Sequence, residues 1–324
     1  MSKTLKILSR PKGNAEEYGR WSVNPYLGCQ HNCSYCYLKK GPGAKTLGGS
    51  VATLKKGVIN DNHAYHLAMA EIIEHRDEII KDGGLFMTFT SDPCAPETRQ
   101  LFFHIASNAI HLDIPVTLLT KNADFFQYPT AKAMFEDTHH LMSLTASERE
   151  HIMLKGSAFY TWLGDMRFIK PQMAFGWTLT GHDELEPNAS VNAERIAAMK
   201  KMSDAGYKTW ASIEPVIDFR SALDMIADAL DAGCQHFKIG LLTNNTKVVK
   251  KDFSFGEHHF EAYDPAQCMS FTGNVMELTQ GRATVYWKQS FYDFLKDRPL
   301  FGMTAYEFLH QWSHSVDKDY NMFK

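Results

Sequence analysis

The sequence predicts an α/β protein built on a parallel sheet with crossover helices. Short apolar and β-branched runs alternate with amphipathic stretches along most of the chain, and turn-forming residues separate them. Parallel strands need a connection of a dozen residues or more, usually a helix, and the spacing here provides it. This pattern leaves open whether the sheet is doubly wound or forms a full or partial barrel.

Each element follows from its own local pattern. The stretch "NHAYHLAMAEIIEHRDEIIKDGG", from residue 62, places apolar residues at helical spacing and ends in two glycines, which stop a helix. The run "LFMTFT" predicts a strand directly after it. We expect strands at 85–90, 114–120, 173–180, 207–214 and 236–242, and further helices around 101–109, from about 190, and through "SALDMIADALDAG".

Two segments interrupt the alternation. Residues 125–172 are about twice as long as an ordinary crossover and predict an inserted helical excursion. Residues 243–324 are less periodic, with one strand pattern, "ATVYWK", and a final helix around "TAYEFLHQW". We therefore expect a core over 1–242 with an insertion at about 125–172, and a C-terminal α+β extension over 243–324 that caps the core.

Composition excludes several classes of protein. The 324 residues are 44% hydrophobic, and 34 basic against 37 acidic residues give a net charge of -3. That balance is unlike proteins that coat nucleic acid, although a local nucleic-acid groove is compatible with it. The first residues, "MSKTLKILSRPKGN", contain no apolar run of signal-peptide length, and no segment approaches the ~20 apolar residues of a membrane span. We expect a cytoplasmic protein without membrane contact, whose six cysteines are ligands or reactive thiols more than disulfide partners.

Three cysteines lie within eight positions, in "NPYLGCQHNCSYCYLKK". Cys29, Cys33 and Cys36 have the spacing C-x3-C-x2-C, which lets three thiolates from one loop converge on one metal centre. On a 4Fe-4S cluster, three thiolates leave one iron open to a small molecule.

Structural zinc is the alternative for this loop. It requires a closed set of four ligands, and a histidine would have to complete the set. The chain has no second C-x2-C pair to complete such a set, which disfavours zinc. The histidines considered for the fourth position are His31, His63 and His66.

The same stretch resembles the radical S-adenosylmethionine (SAM) superfamily. Its signature, C-x3-C-x-aromatic-C, is met by Cys29, Cys33, Tyr35 and Cys36. Together with "TFTSDP" and "LLTKN", the string is similar to the branch that contains spore photoproduct lyase, over roughly residues 21–240. The resemblance implies a partial (βα)6 barrel with the cluster loop after the first strand. It also implies a 4Fe-4S cluster that cleaves SAM to methionine and a 5'-deoxyadenosyl radical.

The resemblance also implies a set of SAM contacts at the strand ends, where parallel barrels hold their chemistry. Ser91 and Asp92 are expected at the amino-acid end of SAM, Lys121 at its carboxylate, and Thr178 and Thr180 at the ribose. Each has an ordinary alternative: a helix cap or turn at the first two, a solvated loop lysine, and threonines that merely suit a strand.

Two aromatic side chains flank the last cysteine of the loop. Tyr35 and Tyr37 stand on either side of Cys36, and a ring beside the cluster can pack against the adenine of SAM. Packing in the protein core explains Tyr37 nearly as well.

Two residues are candidates for catalysis. Glu214 ends an apolar strand, and a carboxylate there is costly to bury unless it is paired, so it either faces the cavity or forms a structural salt bridge. Spore photoproduct lyases use a cysteine immediately before "TSD" to return a hydrogen atom to the product radical. Phe89 stands at that position here, and Cys94 is the nearest cysteine that follows it.

The missing cysteine disfavours photoproduct repair. A related bacteriophage group isomerises a glycyl substituent on the thymine 5-methyl carbon during DNA hypermodification, and such an isomerase can recover its hydrogen from 5'-deoxyadenosine. We therefore favour this isomerisation over photoproduct repair, which is the second hypothesis. If the protein is viral, the expected location is the host cytoplasm. The implied partners are thymine-containing DNA and an electron donor such as flavodoxin or ferredoxin. The competing class is a non-enzymatic protein in which the metal only organises a nucleic-acid-binding surface.

Overall fold

The computed structural model describes residues 5–40, 44–124, 170–244 and 247–324. The insertion predicted at 125–172 lies almost wholly outside the described residues. Within them, the strands are β1 (Leu8–Ser9), β2 (Ser22–Val23), β3 (Tyr26–Leu27), β4 (Thr53–Leu54), β5 (Leu85–Met87), β6 (Val116–Thr120), β7 (Met173–Thr178), β8 (Lys208–Val216), β9 (His236–Leu241), β10 (Thr243–Asn244), β11 (Lys247–Val248), β12 (Phe253–Phe255), β13 (His258–Phe260) and β14 (Thr284–Trp287). The helices, numbered along the described residues, are α1 (Ala44–Leu47), α2 (Asp61–Glu74), α3 (Arg76–Lys81), α4 (Arg99–His111), α5 (Asn192–Asp204), α6 (Phe219–Asp231), α7 (Pro265–Thr279), α8 (Gln289–Leu295) and α9 (Ala305–Leu309).

The central sheet is largely parallel, as the sequence predicts. Its described strands run in the order β1-β2-β5-β6-β7-β8-β9-β14. Only β1 is antiparallel to its neighbour, and all the other pairs in this sheet are parallel. Three small antiparallel pairs accompany it, namely β3 with β4, β10 with β11, and β12 with β13. The α/β fold class is therefore confirmed.

The C-terminal extension contributes a strand to this sheet. β14 pairs with β9 in parallel, from Thr284 opposite His236 to Trp287 opposite Ile239. The predicted strand "ATVYWK" is thus found, but as the edge strand of the central sheet. Residues 243–324 supply this strand as well as the helices α7, α8 and α9.

Local sequence explains where the helices begin and end. The side chain of Asn60 caps α2 by accepting a hydrogen bond from the His63 amide at 2.9 Å. The predicted helix from residue 62 is two helices, α2 and α3, and it is followed by Gly83 and Gly84. Gly84 has φ +105°, and a Cβ there would lie 2.3 Å from the carbonyl oxygen of Pro115, so only glycine fits this turn into β5.

The two faces of the sheet bury different side chains. Alternate residues such as Phe175, Ala211 and Ile213 join the large core beneath the helices. Phe86, Ala174 and Trp210 form a separate cluster on the opposite face, which we call the inner face. Other side chains pack against the inner-face cluster from the N-terminal segment, the strand ends and the C-terminal residues: Tyr18, Phe89, Leu119, Met322 and Phe323.

Candidate active site

The cluster loop, residues 28–40, follows β3 and lies at the carboxyl end of the parallel strands. Gly28 has φ +91°, and a Cβ there would lie 2.4 Å from the carbonyl oxygen of Val51, so the loop can begin only with glycine. The Cys29 amide then donates to the carbonyl oxygen of Gly49 at 2.9 Å. Lys39 closes the loop by donating to the carbonyl oxygens of Asn32, at 2.9 Å, and Cys33, at 3.2 Å. These bonds fix the backbone that carries the three cysteines.

The three thiols of the loop are free, with Cys33 buried and Cys29 and Cys36 partly buried. Burial raises the pKa of Cys29 to about 12, and the charge of Asp92 raises it further. Burial also raises the pKa of Cys33, against the effect of the Lys121 cation. Thiols held protonated in this way become thiolates when a metal displaces their protons. The donor chemistry therefore fits a thiolate-bound cluster.

The described residues offer no preformed site for a single metal ion. Among the described residues, no group of three or more histidine, cysteine, aspartate or glutamate side chains is arranged to hold one. A cubane binds each thiolate through a different iron, so its ligands do not need to crowd around one point. His31 also cannot serve as a free fourth ligand, because its Nε2 lies 2.9 Å from Asp92 and its Nδ1 lies 3.1 Å from the Asn188 carbonyl oxygen. This arrangement disfavours the zinc alternative.

Asp92 connects the cluster loop to the ends of two strands. Its Oδ1 accepts hydrogen bonds from the Cys94 amide at 2.8 Å and from Thr120 Oγ1 at 2.7 Å. Its Oδ2 accepts from the Lys121 amide and pairs with His31, both at 2.9 Å. Burial opposes the charge of Asp92, but His31 and these hydrogen bonds lower its pKa to about 2.

All four acceptor positions of Asp92 are thus used inside the protein. The sequence predicted a direct contact from Asp92 to SAM, and such a contact would require one of these bonds to be given up. The geometry instead agrees with the turn alternative, since Asp92 accepts from the amide two residues ahead. Asp92 positions the loop and does not present a free oxygen.

Ser91 and Lys121 remain available beside this hub. The Ser91 hydroxyl is buried and has no hydrogen-bond partner among the described residues, which is costly unless a ligand completes it. The Lys121 ammonium lies 5.5 Å from the centroid of the Tyr35 ring. Burial lowers the pKa of Lys121, but the nearby Cys33 and Glu186 more than offset this and raise it. Both side chains fit the recognition of a zwitterionic ligand such as the amino-acid end of SAM.

Tyr35 points away from open space, towards a buried ion pair that the sequence did not reveal. Its hydroxyl donates to Glu186, whose other oxygen lies 2.5 Å from Arg195. Both of these charged side chains have no exposed area. Tyr35 is only 8% exposed and meets Phe255 edge-on, so little of its ring is free to pack against adenine. The sequence offered little indication of this buried ion pair, because Glu186 and Arg195 look like ordinary surface charges of a loop and a helix.

Thr178 and Thr180 lie at the end of β7 and are almost fully buried. The Thr178 carbonyl oxygen accepts from Arg195 at 2.9 Å. Thr180 Oγ1 accepts from the His182 amide at 3.3 Å, so this hydroxyl already has a local role. The Thr178 side chain shares its strand face with Gly176 and Ala174, and therefore belongs to the inner face.

Glu214 also lies on the inner face, where it forms a salt bridge, one of the two alternatives that the sequence left open. Its Oε2 accepts from the Tyr18 hydroxyl and from Lys288 Nζ, the latter at 2.5 Å. Tyr18 also lies 2.7 Å from Ser212 Oγ, and Lys288 lies 3.3 Å from Glu17. Glu214 is therefore ion-paired, yet its side chain keeps 23% of its area exposed. Lys288, like Glu214, is a charged residue at the end of an apolar strand. The sequence could have identified it on that ground, but it was not among the predicted site residues.

Phe89 and Cys94 belong to different apolar clusters of the protein. Phe89, which occupies the position of the family's hydrogen-donating cysteine in sequence, packs at the inner face against Tyr18 and Phe86. Cys94 is fully buried in the large core, in the same cluster as Cys33 and Tyr35 of the cluster loop. Burial raises the pKa of its thiol, and Asp92 raises it further. The catalytic role of Cys94 therefore stays a prediction, because burial in the large core does not by itself separate its thiol from the cluster loop.

Comparisons with known proteins support the fold. No family model matches the chain, and a search of curated proteins finds no match. Among solved structures, a spore photoproduct lyase with one cysteine changed to alanine matches with a TM-score of 0.54 and 15% identity, over 89% of this chain and 81% of the other. Spore photoproduct lyase complexed with dinucleoside spore photoproduct matches with a TM-score of 0.52 and 16% identity, over the same shares of the two chains. A double variant with bound AdoMet and the same dinucleoside matches with a TM-score of 0.52 and 15% identity, over 89% and 80%.

Proposed function

We propose that this chain is a radical SAM enzyme that acts on a thymine-derived base in DNA. The observation that carries the proposal is the position of the three-cysteine loop. It lies at the carboxyl end of a parallel sheet whose fold is shared with spore photoproduct lyase, a protein solved with bound AdoMet. When bound, a 4Fe-4S cluster on Cys29, Cys33 and Cys36 supplies the electron that cleaves SAM to methionine and a 5'-deoxyadenosyl radical.

The residues around the loop have distinct parts in this proposal. Lys121 holds the SAM carboxylate, and the unpartnered Ser91 hydroxyl completes the contact at the same end. Thr178 approaches the ribose from the inner face. Asp92 keeps the cluster loop in register with β5 and β6 through its four hydrogen bonds.

Isomerisation of a glycyl substituent on the thymine 5-methyl carbon, during viral DNA hypermodification, is the favoured reaction. Supporting it is the composition of the inner-face cluster, which among the described residues includes Phe89 and no cysteine, whereas Cys94 lies in the large core. Carbon-bound hydrogens of phenylalanine do not replace a thiol donor. An isomerase needs no such donor, because 5'-deoxyadenosine returns the hydrogen. Flavodoxin or ferredoxin in the host cytoplasm would reduce the cluster.

Photoproduct repair is the second candidate, because spore photoproduct lyase of the same fold has been solved with a dinucleoside spore photoproduct. A substrate deuterated at the abstracted carbon distinguishes the two. An isomerase passes label into 5'-deoxyadenosine and, if SAM is recycled, back into product. Efficient conversion of a spore-photoproduct dinucleotide to two thymines, lost in Cys94→Ala, would reverse the order.

Anaerobic reconstitution tests the radical SAM assignment itself. We expect a brown protein with about four irons per chain. Replacing any one of the three loop cysteines with alanine should abolish SAM cleavage. The matched controls, Cys234→Ala and Cys268→Ala, should retain it, because both thiols are buried in the core away from the loop. Stoichiometric zinc, or equal losses at all five positions, would contradict the assignment and leave a metal-organised binding protein.

A further inference from the structure

The two oxygens of the Glu214 carboxylate have different surroundings. Oε2 is engaged by the Tyr18 hydroxyl and by Lys288 Nζ. Oε1 has no hydrogen-bond partner among the described residues, and it is not one of their fully buried polar atoms. One oxygen is therefore held by the protein, and the other is accessible from the inner face.

A glycine keeps the space beside Oε1 free. Gly240 lies on the neighbouring strand β9, and a Cβ built on it would lie 2.8 Å from Oε1 and 3.0 Å from Lys288 Cδ. Any other residue would therefore press against the carboxylate and its lysine partner. Since φ at Gly240 is not in the left-handed region, close approach of these side chains is the physical reason for glycine here.

The ion pair holds this carboxylate in one orientation. Lys288 is 3% exposed, and it is shared between Glu214 at 2.5 Å and Glu17 at 3.3 Å. Lys288 Nζ also lies 4.2 Å from the centroid of the Tyr18 ring. These contacts leave Lys288 little capacity for a ligand, whereas Glu214 keeps an unused acceptor.

The free oxygen lies on the side of the sheet that the cluster loop covers. Tyr37, next to Cys36, donates its hydroxyl hydrogen to the carbonyl oxygen of Phe89. The Phe89 ring meets the Tyr18 ring edge-on at 6.3 Å, and Tyr18 in turn contacts Glu214. This chain of contacts connects the loop to the carboxylate through the inner face, where a substrate of the proposed enzyme would lie.

We propose that Glu214 Oε1 binds an amino group of the substrate, and so selects thymine bases that carry an amine on the 5-methyl carbon. The inference rests on the proposed function and deepens it. A carboxylate oxygen with negative charge and no donor of its own accepts from an ammonium group or an N–H. A neutral hydroxyl at the same place makes a weaker, uncharged bond.

The test measures binding without turnover, on the anaerobically reconstituted protein with SAM and no reductant. The probes are short oligonucleotides that carry one 5-aminomethyl-deoxyuridine or one 5-hydroxymethyl-deoxyuridine, followed by fluorescence anisotropy. We expect the wild-type protein to bind the amine roughly 10- to 100-fold more tightly, as a charge-assisted hydrogen bond predicts. Glu214→Gln should bring the ratio of the two affinities close to one.

Two further variants keep the result interpretable. Gly240→Ala retains Glu214 and Lys288 but places a methyl group beside Oε1, so it should also lose the preference for the amine. Glu277→Gln removes the charge of an exposed carboxylate on α7, outside this ion pair, and it should keep the preference. Circular dichroism and the cluster absorbance report whether each variant is folded.

Several outcomes would overturn the proposal. Equal wild-type affinities for the two probes would do so, as would a preference that survives both Glu214→Gln and Gly240→Ala. A loss of SAM affinity with an unchanged amine preference would assign Glu214 to the cofactor. Absence of a cluster or of SAM cleavage would instead refute the proposed function, so the two failures are distinguishable.

Discussion

Single residues hold the candidate site together more than they line it. Asp92 uses every acceptor position to join the cluster loop to β5 and β6, and Glu186 balances Arg195 behind Tyr35. Both carboxylates lie where an unpaired charge would be costly, and both are paired. The residues left with unused capacity are Ser91, Lys121 and Glu214, which makes them the better candidates for contact with ligands.

Replacement of Lys121 tests the contact with SAM. Lys121→Ala should weaken SAM binding roughly 10- to 100-fold, because a charge-assisted hydrogen bond to the carboxylate is lost. The absorbance spectrum of the cluster should stay intact, since Lys121 is not a ligand. Equilibrium binding of SAM to the reconstituted protein measures the effect, with the exposed Lys45→Ala as the control. Unchanged affinity would reassign Lys121 to structure alone.

Replacement of Asp92 tests its role as a hub. Asp92→Asn should lower the free energy of unfolding by about 1–3 kcal/mol at pH 7, because an amide nitrogen replaces two of its acceptor positions. The folded-state pKa of about 2 lies below the ordinary value, so the stabilisation is present above about pH 4. It is lost as the pH falls from about 4 through 2.

Urea unfolding of the cluster-free chain at pH 7, 4 and 3 measures this difference. Asp113→Asn is the control, since its surface pair with Arg76 should contribute less than about 1 kcal/mol. If the difference in the free energy of unfolding between wild type and Asp92→Asn is the same at all three pH values, the Asp92 charge is not the source of the stabilisation.

Strands and helices place these residues through their period and through a few close contacts. On β7, Gly176 stands opposite Trp210 of β8 in the parallel register. A Cβ on Gly176 would lie 2.1 Å from the Trp210 ring, so the inner face accommodates this large side chain only because its neighbour has none. Helix α6 likewise begins where Asp218 accepts from the Ser221 amide at 2.8 Å.

The pairing of Gly176 with Trp210 predicts opposite effects for two glycine substitutions. Gly176→Ala should destabilise the protein by about 1–3 kcal/mol or more, because the added methyl group overpacks the inner face. Gly273→Ala should stabilise it by about 0.5–1 kcal/mol, since Gly273 lies within α7 with nothing near its missing Cβ. Urea unfolding checks both. If Gly176→Ala leaves the free energy of unfolding unchanged, the Trp210 ring can move aside to accommodate the added methyl group.

At the scale of the whole molecule, distant parts of the chain meet at the inner face. Glu17 comes from the N-terminal segment, Glu214 from β8, and Lys288 from the residue after β14. The C-terminal Met322 and Phe323 pack against the same cluster. The extension at 243–324 therefore shares both the sheet and its inner face with the core. No helix among the described residues is both long and apolar enough to cross a bilayer.

Removal of the shared lysine should lower the stability of the whole fold. Lys288→Ala leaves Glu17 and Glu214 without their common cation, and we expect a loss of about 3 kcal/mol in the free energy of unfolding. Lys296→Ala, an exposed residue just beyond α8, should change it by less than about 0.5 kcal/mol. Thermal and urea unfolding compare the two. Similar small effects would show that the ion pairs are not coupled to folding.

The sequence by itself determined the alternation of strands and helices, the glycine stops and the three-cysteine loop, because each depends on neighbours along the chain. Tertiary structure decided which charges meet. Tyr35 and Glu186 are 151 positions apart, and Glu214 and Lys288 are 74 apart. Such pairs depend on strand register and loop paths, which local periodicity does not encode. For the same reason Cys94, five positions after Phe89 in sequence, could be assigned to the core only once the Asp92 turn was known.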